Sequence, residues 1–455
     1  MRVLLVSPNV ESLPDPVFPL GLAQVAGALK ARGIDYRVLD LCFAEDFEEA
    51  IRLQIEDFRP EIVALSLRNV DNVSYPHYTS YLPFYGRVVQ CVRRHSDALV
   101  VAGGSGFSLL PEAVLGHIGA DIGVVGEGEE VFPDLLERIG RGMDRGNGPV
   151  LIQEPRLVED LDALPDPDRS GFDEAAYLKL GGMGNIQTKR GCPFDCIYCV
   201  YPLVEGRRVR VRSPGRVCDE MERLLASGVD NLFIVDNTFN YPVAHAEAVC
   251  REILRRRLKV RWSCYVNPGF FTADLAALMQ EAGCTGVEFG TDAGHGLMLE
   301  NLRKNFTLQH LKEASRACRE QALPFCHSLI LGGPGETLET ARTTLEEVRA
   351  MEPTAAICMV GIRVFPRTGL ARVAEEEGLV RPGDDYLGPV FYLSRAVEDE
   401  ILPFIEEFAK QNPTWILPGL HINMDERLQK KVRRFGIRGP LWTYMRRGER
   451  FRRRK

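Results

Sequence analysis

Cys192, Cys196 and Cys199 stand in the stretch Arg190-Gly-Cys-Pro-Phe-Asp-Cys-Ile-Tyr-Cys-Val-Tyr-Pro202, a Cys-x3-Cys-x2-Cys array. Three thiolates on one tight loop can each take one iron of a [4Fe–4S] cluster, since cysteine thiolates are the usual cluster ligands. The fourth iron is then left without a nearby protein ligand, as a cluster that must bind a substrate requires. Gly191 and Pro193 keep the loop out of helix, so the sulfurs can approach one another. Two plainer readings compete. A structural zinc site wants four N/S ligands in paired spacings, and no second Cys or His pair follows at that distance. Unrelated core cysteines would be scattered along the chain, as the other nine of the twelve are.

The elements around this loop alternate in type. From residue 179 to 375, apolar strand-like runs at 185–190, 231–235, 260–265, 286–290, 325–331 and 357–363 are separated by helical patterns at 217–227, 244–256, 272–283, 307–321 and 337–351. Six such units fit a partial (β/α)6 barrel of TIM type, in which residues at the carboxyl ends of strands do the chemistry. Polar and small residues interrupt the apolar runs at those ends: Asp236 and Asn237, Glu288 and Thr291, and Gly332. Each has a structural alternative. Asp236 could cap a helix, Glu288 could pair with Arg303 or Lys304, and Glu336 could cap the helix that follows it.

Residues 1–140 alternate in the same way, with strands at 3–7, 36–40, 62–66, 98–102 and 122–125 and helices at 20–32, 47–58, 85–94 and 131–139. This pattern predicts a Rossmann-like, doubly wound parallel sheet, whose ligands lie beyond the carboxyl ends of the strands. Ser66 and Arg68, the run Gly103-Gly104-Ser105-Gly106 and the run Gly126-Glu127-Gly128-Glu129 fall there. Glycines at strand ends let backbone approach a large ligand, though many such sheets carry them, and Arg68 could equally be a surface ion-pair partner. The loop 69–84 carries Tyr75, Tyr78, Tyr81 and Phe84, with Tyr85 just beyond. A loop this long and aromatic either walls a ligand or packs on the neighbouring domain. Residues 141–178, rich in Gly, Pro and Asp, read as a linker without elements of its own. Residues 376–455 read as a small helical region with a basic tail.

The cysteine array, with Tyr198 before its last Cys and a Rossmann-like domain ahead of it, resembles the cobalamin-binding branch of the radical S-adenosylmethionine (SAM) enzymes. The resemblance covers roughly residues 1–375. It implies three cofactors: a [4Fe–4S] cluster on Cys192, Cys196 and Cys199, SAM, and cobalamin in its methyl form. It places SAM against Tyr198, Asp236, Asn237, Glu288, Thr291, Ile330 and Gly332. It places cobalamin against Ser66, Arg68, Gly103, Gly104, Ser105, Gly126 and Glu127. The Asp-x-His-x-x-Gly motif that supplies a cobalt ligand in several cobalamin proteins is absent, so the resemblance implies cobalt without a histidine below it. The implied activity is C-methyl transfer: a 5′-deoxyadenosyl radical removes a hydrogen from an unactivated carbon, and methylcobalamin hands over the methyl. The alternatives are ring closure, rearrangement or C–C coupling with the same cofactors, and, from a different class, a corrinoid or redox sensor with a dead barrel. An electron donor such as flavodoxin or ferredoxin is implied as a partner.

Composition bounds the rest. At 45% apolar and 26% charged the chain reads as an ordinary globular protein, and no apolar run is long enough to span a bilayer. The first residues have no signal-peptide shape, and twelve cysteines without paired spacings fit a reducing cytoplasm. Residues 430–455 hold twelve Lys/Arg against Glu449, so the rest of the chain carries −18 within a total of −7. An acidic body argues against a nucleic-acid partner, and makes a methylthiotransferase acting on tRNA the weaker reading. The basic, aromatic tail could touch an anionic membrane, pair with the acidic body or be solvated. The substrate class stays open between a small molecule and a lipid-like one.

Overall fold

The computed structural model describes residues 1–12, 15–144, 146, 148–153, 157–423 and 426–445. Strands β1 (Arg2–Ser7), β2 (Asp35–Asp40), β3 (Ile62–Ser66), β4 (Leu99–Gly103), β5 (Ile122–Val124) and β6 (Val150–Ile152) form one parallel sheet in the order β2-β1-β3-β4-β5-β6. β1, β3 and β4 are almost wholly buried, as strands covered by helices on both faces must be. The order reverses between β1 and β3, so a crevice opens beyond their carboxyl ends.

The second sheet is built from β7 (Gly184–Ile186), β10 (Asn231–Ile234), β11 (Arg261–Val266), β12 (Cys284–Asp292), β13 (Phe325–Leu331), β14 (Ala355–Val360) and β17 (Trp415–Ile416), all parallel and adjacent in that order. Side chains alternate across it. Val287 and Phe289 of β12 belong to the core beneath the helices, which turns Glu288 between them to the lumen. Two short antiparallel ribbons flank the sheets: β8 (Lys189–Arg190) with β9 (Arg210–Val211), and β15 (Ile362–Arg363) with β16 (Phe391–Tyr392).

Three sequence expectations change. The run 185–190 is not one strand: β7 joins the barrel, while β8 turns away to pair with β9 and brackets the cysteine loop. The stretch 141–178 contains β6 and a helix Glu174–Gly181. A three-residue strand is too short to show a period and takes its register from β5. The region after 375 is no helical appendage, because β17 adds a seventh strand to the barrel sheet.

Candidate active site

The cysteine loop is pinned at both ends and in the middle. Gly191 lies at φ +91°, and a Cβ there would come within 2.1 Å of the Arg208 carbonyl oxygen, so only glycine fits. Cys192 N donates to the Gly206 carbonyl (3.0 Å) and Cys199 N to the Cys196 carbonyl (3.1 Å). Ile197 N donates to the Leu302 carbonyl (3.2 Å), and the Ile197 carbonyl accepts from Leu370 N (2.7 Å). Among the described residues no three His, Cys, Asp or Glu side chains converge as the ligands of a single ion would. In a cubane each cysteine takes a different iron, so its ligands need not converge as those of one ion do.

Burial pushes these thiols up, Cys199 to about 12, while the ammonium of Lys304 pulls Cys196 and Cys199 the other way. Burial thus favours the neutral thiols, and thiolates at these positions would need cationic charge of the kind that cluster iron would supply. Lys304 is held by Asp292 (Nζ to Oδ2 2.6 Å), which also accepts from the Tyr198 hydroxyl. Asp292 sits at φ +61°, past a break in the β12–β13 register. The strand end is thereby turned toward the loop.

Between the two sheets lies a cavity of about 300 Å³. Ser66, Arg68, Gly103, Gly104, Ser105, Gly126 and Glu127 all line it, and Gln187, Arg190 and Glu205 close it from the barrel side. Two buried polar atoms in this wall, Arg68 Nε and Gln24 Oε1, have no hydrogen-bond partner. A Cβ on Gly126 (φ +89°) would meet open space, whereas Cβ atoms on Gly104 and Gly106 would press on the backbone of Leu67, Arg68 and Asn69. The first glycine thus leaves room at the cavity wall, its N–H donated to the Ser108 hydroxyl (2.9 Å), and the other two let the Arg68 segment sit close. No histidine lines the cavity among the described residues. An uncommitted donor, an uncommitted acceptor, close-lying glycines and a crevice at the switch point fit a large, amide-rimmed cofactor such as cobalamin.

Glu127 does more than line the wall. Arg210 donates to both of its oxygens (2.8 and 2.7 Å), and also to the Val158 and Glu205 carbonyls (2.6 and 2.7 Å). Arg190 donates to Glu129 (2.6 Å) and lies 3.4 Å from Glu127. Burial pushes Glu127 up, but the two guanidiniums outweigh it and leave the carboxyl below its usual range. Since Arg190 and Arg210 are paired across β8 and β9, this buried ion cluster clamps the ribbon around the cysteine loop onto the first domain. Glu205, between loop and cavity, accepts from Gly191 N (3.0 Å) and Asn237 Nδ2 (3.2 Å).

The residues expected against SAM divide. Asn237, Ile330 and Gly332 stand at strand ends, and Tyr198 braces Asp292. Asp236 is fully committed inside the fold, accepting from Thr188 N (2.7 Å), the Thr188 hydroxyl and Lys189 N (3.3 Å). It anchors β8 instead of presenting an oxygen to a ligand. The hydroxyl of Thr291 bonds His327 Nδ1 (2.6 Å), whose ring stacks on Phe289 in the layer outside the barrel. Thr291 therefore faces away from the lumen. Glu336 does not cap the helix Leu338–Ala350, whose cap is Thr337; it accepts from the Thr340 hydroxyl (2.6 Å) and from Gly332 N (3.2 Å).

Glu288 pairs with neither Arg303 nor Lys304. Its Oε1 accepts from Trp442 Nε1 (2.9 Å), carried on the carboxyl-terminal segment, which closes the barrel floor against Gly286 and Cys326. Burial pushes this carboxyl up to about 7, with the Trp442 bond pulling it back. In the unfolded chain it ionises near 4.5, so between those values the unfolded state binds fewer protons and folding stability falls as pH rises. The ceiling on this loss is roughly 3 kcal/mol. Glu288→Gln, which keeps an acceptor for Trp442, should flatten the dependence: its melting temperature should exceed the parent's at pH 8 and match or fall below it at pH 5.

The aromatic loop mostly packs. Tyr75 and Tyr78 lie against Phe391, Tyr85 donates to the Asn69 carbonyl (2.9 Å), and Asp71 is ion-paired with Arg363 (2.9 Å) in the interior. The described part of the basic tail pairs with the acidic body through Arg433–Asp15 (2.7 Å) and Arg438–Asp230 (2.6 Å). Residues 446–455 lie outside the described residues, among which no helix is long and apolar enough to cross a membrane.

Glu205, Lys304, Arg210 and Trp442 were not legible as site residues. Each acts through a partner distant in the chain, with no local motif to mark it.

Comparison with known proteins agrees with this architecture. The B12 binding domain profile matches residues 6–136 and the radical SAM superfamily profile residues 186–348. The tryptophan 2-C-methyltransferase of Streptomyces laurentii is 30% identical over 450 residues, covering 82% of this chain and 74% of that protein. The solved structure of the radical S-adenosylmethionine methyltransferase TsrM from Kitasatospora setae, with cobalamin and a [4Fe-4S] cluster bound, superposes with a TM-score of 0.87 at 25% identity, covering 100% of this chain and 98% of that one. The same enzyme with tryptophan and a SAM analogue (aza-SAM) gives 0.86 at 26% identity, with the same coverage. With both cofactor domains matched and the likeness running the full length of the chain, this protein belongs to the cobalamin-binding radical SAM enzymes, as a C-methyltransferase that uses a [4Fe–4S] cluster, SAM and cobalamin.

Proposed function

We propose that the methyl acceptor is a small aromatic molecule, with L-tryptophan the first candidate. The observation that carries this is the overlay on the tryptophan-bound methyltransferase across the whole chain. The lining between cavity and lumen supports it. Tyr201 and Tyr265 expose 41% and 39% of their surface, yet each lies within electrostatic reach of buried site groups: Tyr201 of Glu205, Cys199, Cys192 and Arg68, and Tyr265 of Glu288 and Tyr201. Aromatic rings exposed beside these groups offer flat faces that suit a flat substrate.

In this reading Cys192, Cys196 and Cys199 hold the cluster. Ser66, Arg68, Gly103, Gly104, Ser105 and Gly126 cradle cobalamin, and Asn237, Ile330 and Gly332 flank SAM. When bound, these groups supply the one-electron chemistry and the methyl group; the chain positions them and excludes water. Arg68 offers its unpartnered Nε to the cavity, Gly126 leaves room beside its backbone, and Asp236 and Glu205 hold the backbone of Thr188, Lys189 and Gly191 that leads into Cys192. Reducing equivalents come from a protein donor of the flavodoxin or ferredoxin type.

The test is anaerobic incubation of the reconstituted enzyme with methyl-deuterated SAM and L-tryptophan. The expected product is tryptophan in which one ring hydrogen is replaced by CD3. Turnover of SAM with no label in tryptophan, or label in a non-aromatic competitor instead, would overturn the assignment of the acceptor.

A further inference from the structure

Outside the interdomain cavity, the outer face of the cysteine loop forms a shallow depression of about 60 Å³ that shares no lining residue with that cavity. Cys196 and Cys199 are part of its wall, which brings the depression up to the cysteine loop itself. Its middle is apolar: Leu203 is exposed, and Phe194 is stacked on Phe270. Its rim is basic. Arg207, Arg303, Arg367 and Arg372 line it against the single acid Asp195, a local excess of positive charge on a chain whose total is −7.

These arginines come from separate segments and are held outward. Asp195 ties Arg207 (2.8 Å) and Arg303 (3.1 Å), whose side chains still expose 62% and 57% of their surface. Arg372 is exposed and makes no ion pair among the described residues. Nothing in the methyl-transfer site uses any of them. An apolar centre with a charged rim is the anatomy of a transient protein interface, and electron-transfer encounters use the smallest such interfaces.

We propose that this depression is the docking face for a small acidic one-electron carrier protein. The proposal rests on the reading that Cys192, Cys196 and Cys199 hold a [4Fe–4S] cluster. Electron transfer falls steeply with distance, so a carrier gains by approaching where cysteines of the cluster loop line the surface, and that place carries the charge an acidic carrier seeks. One electron leaves the reduced carrier, which is thereby oxidised, and enters the cluster, whose net charge falls by one; no bond is made or broken and no proton is needed. Steering by rim charges sets the association rate and makes it depend on salt.

The experiment compares the parent, the triple variant Arg207→Glu/Arg303→Glu/Arg372→Glu and the single variant Arg372→Glu. Reduced flavodoxin serves as the carrier and dithionite as a small-molecule reductant. Stopped-flow bleaching of the cluster should show flavodoxin reduction of the triple variant slowed about 100-fold at low salt, with the steep salt dependence lost and dithionite reduction unchanged. Arg372→Glu, which breaks no internal bond, should slow flavodoxin alone by roughly 5- to 10-fold, and decides the matter if the triple variant folds poorly. Broadening of flavodoxin NMR signals on adding the unreconstituted chain reads docking without the cluster, and should disappear in the variants. Flavodoxin rates equal to the parent's in Arg372→Glu, docking that ignores salt, or an oligonucleotide displacing flavodoxin from the face would overturn the proposal. A parent that holds no iron and does not bleach with dithionite would instead overturn the cluster reading on which it rests.

Discussion

Replacing Cys196 with alanine should leave a folded protein that transfers no methyl group. The loop around it is held by backbone bonds at Cys192, Ile197 and Cys199 and by the glycine-only conformation of Gly191, none of which uses the Cys196 sulfur. On the proposed assignment what is lost is one of three cluster ligands, and two thiolates would not retain a [4Fe–4S] cluster whose fourth iron has no protein ligand. Iron and acid-labile sulfide should fall to background after anaerobic reconstitution, and methylated product should fall below detection. Cys218, buried in the helix Pro214–Ala226, is the control. Cys218→Ala should cost about 1–2 kcal/mol of stability as a core truncation and keep full iron content. Wild-type iron and activity in Cys196→Ala would remove the basis for the site described here.

The second large effect is expected at Arg210. Its guanidinium donates four bonds in the interior, two of them to Glu127 across the domain boundary. Removing one partner of a buried ion pair leaves the other charge stranded, at a cost of about 3–5 kcal/mol. Arg210→Ala should therefore lower stability by that amount in denaturant titrations. Methyl transfer should fall further than the folded fraction does, because β8 and β9 carry the cysteine loop and Arg210 also holds the Glu205 carbonyl. The pair Arg210→Met/Glu127→Leu, which removes both charges together, should recover most of the stability. An effect within about 0.5 kcal/mol, the ordinary range of a surface substitution, would show that the clamp contributes nothing.

Much of the fold is written in local pattern. The alternation of apolar runs and helical stretches was enough to expect two parallel α/β layers, because a strand covered on both faces must be continuously apolar, as β1, β3 and β4 are. The cysteine array is legible because all three of its thiols stand on one short loop. The cavity-lining residues are legible because a ligand beyond the ends of parallel strands can only be met there. The strand β6 and the split between β7 and β8 were not legible, since elements of two or three residues take their conformation from neighbours and carry no period of their own.

The roles of the acidic residues were decided by tertiary structure alone. From the sequence, Asp236, Glu127 and Glu288 are three carboxylates at or near strand ends, alike in type and setting. In the folded chain Asp236 is spent on Thr188 and Lys189, Glu127 on Arg210, and Glu288 on the indole of Trp442. The partners of Glu127 and Glu288 lie 83 and 154 residues away. Spacing within one segment fixes which groups can share a loop or a strand end. What a buried charge does there depends on which distant side chain the fold brings within 3 Å of it, and no local pattern records that.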